Sequence, residues 1–357
     1  MEEKMEEKKR LIYPDILRIV SIFGVIVLHC VGELWEQIPI KSKSWVALVA
    51  IDSLFRFAVP VFVMVSGMFM LSPSKNRGIK KLYSKNILRI VTSFAFWSIV
   101  YLLYHQASDF IVNRGSFKPD FQSILNSFFA GEYHLWFMYM IAGLYIVTPI
   151  LCRLVEKKST MQYFLMIWFI FCMAQNFIYL VPGIGKYAFG FMNLFKISIA
   201  VEYSGYYVLG YYLHNYEIEK PLKVSVNILA CLSTFGIVAV TIFTSFRSNE
   251  LVTKYLEYLL PMTALQSVAV FLCIKNKFQG FNPSKKAQKA IYALSKISFG
   301  VYLSHLLVIK IAKKMCLSFF SFPTYITFGI MLIAALILSP MISYILNKIP
   351  ILNKYIV

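Results

Sequence analysis

The stretch DILRIVSIFGVIVLHC, from Asp15 to Cys30, decides the fold class of this 357-residue chain. It reads as part of a helix that crosses a lipid bilayer, which takes about 20 apolar residues, yet it contains Arg18 and His29. Ionisable side chains inside a membrane helix are costly and by default mark a functional site. The spacing from Arg18 to His29 returns to within roughly 20° of one helix face and covers about 16 Å along the axis. We therefore expect both side chains to point the same way, at two depths.

The composition assigns the whole chain to the membrane. Hydrophobic residues make up 59% of it and charged residues only 15%, which excludes an ordinary soluble domain. The net charge of +19 is spread over short loops between apolar runs, so it indicates topology signals and contacts with membrane lipid, and no nucleic-acid partner. The six cysteines are scattered and are expected to be small core residues without a metal or disulfide framework.

Ten apolar runs predict an all-α, polytopic membrane bundle of about ten transmembrane helices, in one domain over residues 1–357. They lie near 12–34, 45–71, 87–105, 134–152, 161–181, 194–214, 222–245, 255–275, 291–313 and 324–346. The even number places both termini on one side. With residues 1–11 in the cytoplasm, cytoplasmic segments carry about twice as many Lys and Arg residues as outer ones, which favours cytoplasmic termini. The long connection 106–133 is then extracytoplasmic and a candidate entrance for an outer substrate.

The ionisable residues near the predicted cytoplasmic side are all cations. They are Arg18, Arg89 at the start of the third predicted helix, Lys296 at the start of the ninth, and the basic loop 74–85 that ends in Lys85. Such side chains pair with phosphate oxygens, as a phosphate-rich cytosolic cofactor requires. The loop lysines also fit the positive-inside rule, and Arg18 also fits a pair with Asp15 one turn earlier. Because a cation at a helix start opposes the helix dipole, a bound anion would explain Arg89 better.

The ionisable residues near the predicted outer side mix imidazoles with carboxylates, as general acid–base sites do. They are His29, Asp52, His134 and His305, with Arg56 and Glu202 somewhat deeper. A lone intramembrane histidine is more often a hydrogen-bond donor between helices, but three histidines at one inferred depth favour chemistry. Asp52 and Arg56, four residues apart, can instead neutralise each other. Glu202 also fits a contact with nearby tyrosine hydroxyls, and His134, beside Trp136, also fits an aromatic belt.

Two further stretches indicate architecture. Pro60, Ser66 and Gly67 in VPVFVMVSGMFM (59–70) predict a kink and a close helix contact. The aromatic residues of LWFMYMIAGLYIVTP (135–149) recur at helical spacing and indicate packing.

Five stretches resemble, in order, the motifs of the integral-membrane acyltransferase-3 family, which acylates cell-surface sugars. Arg18 and His29 match the motif of its first helix, and FAVPVFVMVSG (57–67) resembles that of its second. LYSKNILRI (82–90), HLWFMYMIAGLYIVTP (134–149) and SFGVYLSHLLVI (298–309) resemble three later motifs. Ile141 stands where many relatives that modify O-antigens carry Glu, which indicates the branch resembling surface-polysaccharide and enterobacterial-common-antigen O-acetyltransferases. Asn86 and Arg89, with Lys85 adjacent, stand where relatives have two arginines three apart.

The resemblance implies an O-acyltransferase of the bacterial inner membrane that uses no metal. It would take an acyl group, preferably acetyl, from cytosolic acyl-CoA and deliver it to a hydroxyl of a surface or lipid-linked glycan. We expect His29 to be the base for the hydroxyl proton, since burial favours the neutral imidazole. Arg18, the second catalytic candidate, would position the CoA end of the donor, and Lys85 and Arg89 would bind its phosphates. The alternatives are a polysaccharide or proton-coupled transporter, for which the sequence lacks repeat symmetry, and a membrane module that binds a ligand without chemistry.

Overall fold

The computed structural model describes residues 11–72, 78–112, 121–183, 185–197 and 201–357. Helix accounts for 83% of the structure, and the described ranges contain no strand. The predicted all-α class is therefore confirmed. Residues 1–10 of the predicted N-terminal segment and residues 74–77 of the basic loop lie outside the described ranges.

The helices are numbered here in chain order. They are α1 (Tyr13–Gly32), α2 (Lys43–Phe55), α3 (Ala58–Met70), α4 (Ile79–Lys81), α5 (Leu88–Val112), α6 (Phe121–Ala130), α7 (Trp136–Leu154), α8 (Lys158–Trp168), α9 (Gln175–Tyr179), α10 (Gly185–Asn193), α11 (Ser204–Asn215), α12 (Lys220–Ser248), α13 (Pro261–Phe278), α14 (Lys285–Met315), α15 (Thr324–Lys348) and α16 (Pro350–Tyr355). A π-helical turn, Leu82–Ile87, joins α4 to α5, and a 3₁₀ turn, Tyr133–Leu135, precedes α7.

Eight spans among the described residues are long and apolar enough to cross a membrane, which makes the chain a multi-pass membrane protein. They are Tyr13–Gln37, Lys43–Met70, Ile79–Phe110, Tyr133–Leu154, Lys158–Tyr179, Lys220–Ser248, Lys285–Met315 and Thr324–Lys348. The other two predicted spans coincide with α11 and α13, which have 12 and 18 residues. At about 1.5 Å per residue, α11 is too short to cross a bilayer as a single straight helix.

Two predicted helix starts were wrong. The spans that carry Arg89 and Lys296 begin at Ile79 and Lys285, ahead of the predicted starts at 87 and 291. Arg89 therefore lies about three turns inside its span. The helix dipole acts within the first turn only, so it gives no reason for an anion at Arg89. The predicted connection 106–133 is also largely helical, because α5 continues to Val112 and α6 follows; residues 113–120 are not described.

Helix α1 lies at the centre of the bundle. It packs against α2, α3, α13, α14 and α15. Leu17, Cys30 and Val31 are accordingly fully buried. Inside a membrane such contacts are stabilised by close van der Waals packing, since lipid is as apolar as the helices. The central position explains how a helix can carry Arg18 and His29 without exposing them to lipid.

The crossing of α3 and α11 requires glycine on both helices. A Cβ at Gly67 would overlap the backbone carbonyl of Tyr207, and a Cβ at Gly210 would overlap that of Met64. Small residues let helix backbones approach this closely in membranes. The predicted close contact at Gly67 is present, whereas the break in the span Lys43–Met70 falls at Arg56 and Phe57, before Pro60.

The two ends of the described chain lie at the same end of the bundle. Leu11 and Asn353 line one cavity together with Arg18. We call this the Arg18 end, and the opposite end, where α1 carries His29, the His29 end.

Candidate active site

A cavity of about 1620 Å³ lies at the Arg18 end. Five cations line it: Arg18, Lys85, Arg89, Lys296 and Lys354. Asp15 is the only carboxylate among its described lining residues, and it accepts a hydrogen bond from Ser295 Oγ at 2.7 Å. A cavity lined by one sign of charge concentrates ions of the other sign. The predicted inner cations therefore meet around a space suited to an anion.

Aromatic rings hold the two arginines of this cavity. The guanidinium carbon of Arg18 lies 4.6 Å from the ring centroid of Phe69, and that of Arg89 lies 5.2 Å from the centroid of Phe299. Arg89 also donates to the backbone carbonyl of Val357. Stacking on a ring fixes a guanidinium plane and leaves N–H groups at its edge for a ligand.

A second cavity, of about 30 Å³, lies at the His29 end. His29, His134, Tyr258 and Tyr302 supply its polar lining. Among the described residues, Phe62 and Phe137 are the ones that line both cavities. Their ring centroids are 5.7 Å apart and the rings are nearly perpendicular, at 87°. Helix α1 thus carries Arg18 to the large cavity and His29 to the small one, with this aromatic pair between them.

Three histidines meet beside the small cavity. His29 Nδ1 lies 2.7 Å from His305 Nε2. The ring centroid of His134 lies 5.9 Å from that of His29 and 5.4 Å from that of His305. His134 and His305 are 1% and 0% exposed, whereas His29 is only partly buried. His29 is therefore the histidine of this cluster with surface left for a substrate.

The hydrogen bonds of His305 determine which nitrogen of His29 is basic. His305 Nδ1 lies 2.6 Å from the carbonyl oxygen of Tyr302. A carbonyl only accepts, so Nδ1 of His305 carries the proton and, in a neutral ring, Nε2 is the acceptor. His29 Nδ1 must then donate to it, which leaves Nε2 of His29 unprotonated. The cluster presents one basic nitrogen, held in one tautomer by its neighbour.

A family model described as an acyltransferase domain matches residues 11–346, which include all of these side chains except those of the C-terminal helix α16 and Val357. The chain belongs to the acyltransferase-3 family. No curated protein and no solved structure is significantly similar to it. The family supports acyltransferase activity in a membrane. The narrower branch inferred from Ile141 stays a prediction.

Ion pairs surround the histidines of this acyltransferase at the His29 end. Lys310 Nζ lies 2.9 Å from Glu132 Oε1, and Lys313 Nζ lies 2.8 Å from Glu33 Oε2. Tyr133 donates to Glu33 at 3.4 Å, and its ring centroid is 5.6 Å from that of His29. Sequence reasoning missed these pairs because their members are far apart in the chain and lie near helix ends, where isolated charges are ordinary.

The remaining predicted residues of the acyltransferase lie outside both cavities. Asp52 and Arg56 form an ion pair at 2.5 Å, with Asp52 buried and Arg56 5.4 Å from the ring centroid of Tyr258. The two charges therefore neutralise each other beside the small cavity. Glu202 is exposed, and its backbone carbonyl accepts from Trp168 Nε1 at 2.7 Å. Of the predicted outer group, the structure therefore brings together the three histidines at the small cavity and, separately, Asp52 with Arg56.

Candidate metal ligands and cysteines form neither a metal-binding group nor a disulfide in the described part of the chain. No group of three His, Cys, Asp or Glu side chains there is arranged to hold a metal ion. All six cysteines are free thiols.

Proposed function

We propose that this acyltransferase moves an acyl group, preferably acetyl, from acyl-CoA to a hydroxyl of a surface or lipid-linked glycan. The observation that carries the proposal is the arrangement along α1. A large cavity lined by five cations leads, past one aromatic pair, to a small cavity lined by a basic histidine.

The large cavity fits the CoA part of the donor. Its volume of about 1620 Å³ exceeds the 300–1,000 Å³ of pockets for drug-sized ligands, so a nucleotide with a pantetheine arm has room. Arg18, Lys85 and Arg89 would pair with its phosphate oxygens by charge-assisted hydrogen bonds. An extended pantetheine arm then covers the roughly 16 Å along α1 from Arg18 to His29.

The small cavity fits the transfer step. His29 Nε2 removes the proton of the acceptor hydroxyl, and the oxygen attacks the carbonyl carbon of the thioester. The new C–O bond forms, the C–S bond breaks with its electron pair on sulfur, and the imidazolium returns the proton to give the free CoA thiol. A general base of this kind contributes about 10²- to 10⁴-fold to the rate. His305 acts as a positioning residue, because it holds His29 in the tautomer with a free Nε2.

The proposed orientation places the Arg18 end in the bacterial cytosol, where acyl-CoA is available. The excess of Lys and Arg in segments on that side supports cytoplasmic termini in the inner membrane. The acceptor would then reach His29 from the outer face, past Tyr133. Basic loops at the Arg18 end would contact anionic lipid.

The test is transfer of label by the purified protein. Protein in lipid vesicles is incubated with acetyl-CoA labelled in the acetyl group and with the glycolipid fraction extracted from membranes of the source bacterium. We expect label in the glycolipid, released by mild alkali as an O-ester is, and none with His29→Gln. Glycolipid that crosses the vesicle bilayer without acquiring label would indicate a carrier and contradict the proposal.

A further inference from the structure

Phe62 and Phe137 close the route between the two cavities. Their edge-to-face arrangement, with centroids 5.7 Å apart, is that of two rings in contact. A thioester that reaches His29 from the large cavity has to pass this pair, because these are the described residues that line both spaces.

The two rings differ in how firmly they are held. Phe137 is 7% exposed and packs against Tyr302, whose ring centroid is 5.4 Å away. Tyr302 is itself fixed, since its hydroxyl donates to the carbonyl of His134 at 2.6 Å. Phe62 is only partly buried and borders the open space of the large cavity. The Phe137 ring is thus held in place, whereas the Phe62 ring has space into which it can rotate.

The space beyond the pair is small. A single water takes about 10–15 Å³ of such volume. The cavity beside His29 measures about 30 Å³ and therefore holds two or three groups of that size. A thioester carbonyl with one methyl group matches this, whereas each further methylene has to displace a packed side chain.

We propose that the Phe62–Phe137 pair is a size filter that restricts transfer to acyl groups of about two carbons. The filter rests on the proposed acyl-CoA donor, and it names the residues that set the acyl length. One methylene in a tight apolar pocket changes specificity by about 10- to 200-fold. Butyryl, with two more methylenes than acetyl, is therefore transferred at least tenfold more slowly by the unmodified protein.

The test compares acetyl-, propionyl-, butyryl- and hexanoyl-CoA, each labelled in the acyl group, with the glycolipid fraction named above as acceptor. The variants are Phe62→Ala, Phe62→Leu and Phe137→Ala. Phe55→Ala is the matched control, because Phe55 is also a partly buried phenylalanine of the same membrane span but lines neither cavity. Binding of unacylated CoA is measured in parallel to show which variants still hold the donor, and it is expected to be unchanged in Phe55→Ala.

Support is a rise of at least tenfold in the butyryl-to-acetyl rate ratio for Phe62→Ala, a smaller rise for Phe62→Leu and none for Phe55→Ala. If Phe62→Ala does not fold, the butyryl-to-acetyl rate ratio of Phe62→Leu decides the test. The filter is overturned if the unmodified protein transfers butyryl as fast as acetyl, or if the ratio stays constant in variants that still transfer acetyl. Absence of transfer from every thioester by the unmodified protein would instead reject the donor itself, and the filter with it.

Discussion

Removing the hydrogen-bond acceptor behind His29 should slow transfer without abolishing it. In His305→Leu the ring nitrogen 2.7 Å from His29 Nδ1 is lost, while an apolar side chain still fills the fully buried site. His29 is then free to carry its proton on Nε2, where it is no longer a base. The variant thus removes only the hydrogen bond that favours one tautomer of His29, because His29 itself is unchanged.

The expected size of the effect follows from that single bond. Hydrogen bonds between membrane helices are worth about 0.6 kcal/mol on average and up to about 1.7 kcal/mol. At about 1.4 kcal/mol per factor of ten, losing the bond should shift the ratio of the two His29 tautomers by roughly 3- to 20-fold, and the transfer rate should fall by up to that factor. Loss of the base in His29→Gln should cost about 10²- to 10⁴-fold. His305→Gln, whose amide oxygen can accept from Nδ1, should recover part of the rate.

The assay is labelled acetyl transfer to the extracted glycolipid, with CoA binding measured on the same samples. His105→Leu is the control, because His105 pairs with Glu132 and lines neither cavity. Since His305 acts through His29, His305→Leu should cost nothing further in a His29→Gln background. Independent, multiplicative losses in the double variant would refute the reasoning, and so would an unchanged rate in His305→Leu.

Three other predictions concern the cations, the buried ion pair and acid stability. Arg89→Ala should weaken acetyl-CoA binding, more visibly at high salt where the remaining exposed cations are screened. Titration calorimetry checks this, with Arg153→Ala as the control because Arg153 is exposed. The site would be contradicted if Arg89→Ala and the unmodified protein had the same dissociation constant at every salt concentration. Asp52→Asn should destabilise the protein by up to about 3–5 kcal/mol, because it leaves the partly buried Arg56 without its partner. Replacing both residues by leucine should recover most of the melting temperature. Burial raises the pKa of the Glu132 carboxyl, but hydrogen bonds from His105 and Lys310 outweigh it and hold that pKa below its ordinary 4.5. The stabilisation from the ionised Glu132 carboxylate should be complete above pH 4.5 and should be lost as the pH falls through the lowered pKa of the folded protein. The melting temperature of Glu132→Gln should therefore depend less on pH in the acid range than that of the unmodified protein.

Much of the arrangement along α1 follows from the sequence, because helix geometry alone relates Arg18 to His29. The spacing predicts one face and two depths, and the structure places the two residues at separate cavities on one side of α1. The sequence likewise predicts one depth for His29, His134 and His305, whereas their contact depends on how three helices pack. Both inferences need only the regular rise and turn of a helix.

The cavities themselves could not be predicted, because hydropathy measures the length of apolar runs and not the space between helices. The sequence pattern predicts a loop for the polar turns after Ile79, although they continue the helix and bring Lys85 to the large cavity. Phe137 was assigned to packing from its helical spacing. Its position opposite Phe62 depends on how α3 and α7 approach each other, which a single sequence does not encode in any local pattern.

The most direct test of the account measures acetyl-CoA binding and acetyl transfer in the same preparation of His29→Gln. Glutamine can still donate to His305 but has no basic nitrogen. Because the cations proposed to hold CoA lie at the Arg18 end, away from His29, we predict an unchanged dissociation constant together with a loss of turnover of about 10²- to 10⁴-fold. Near-normal turnover would remove His29 from the mechanism, and loss of binding together with turnover would contradict the separation of the two ends.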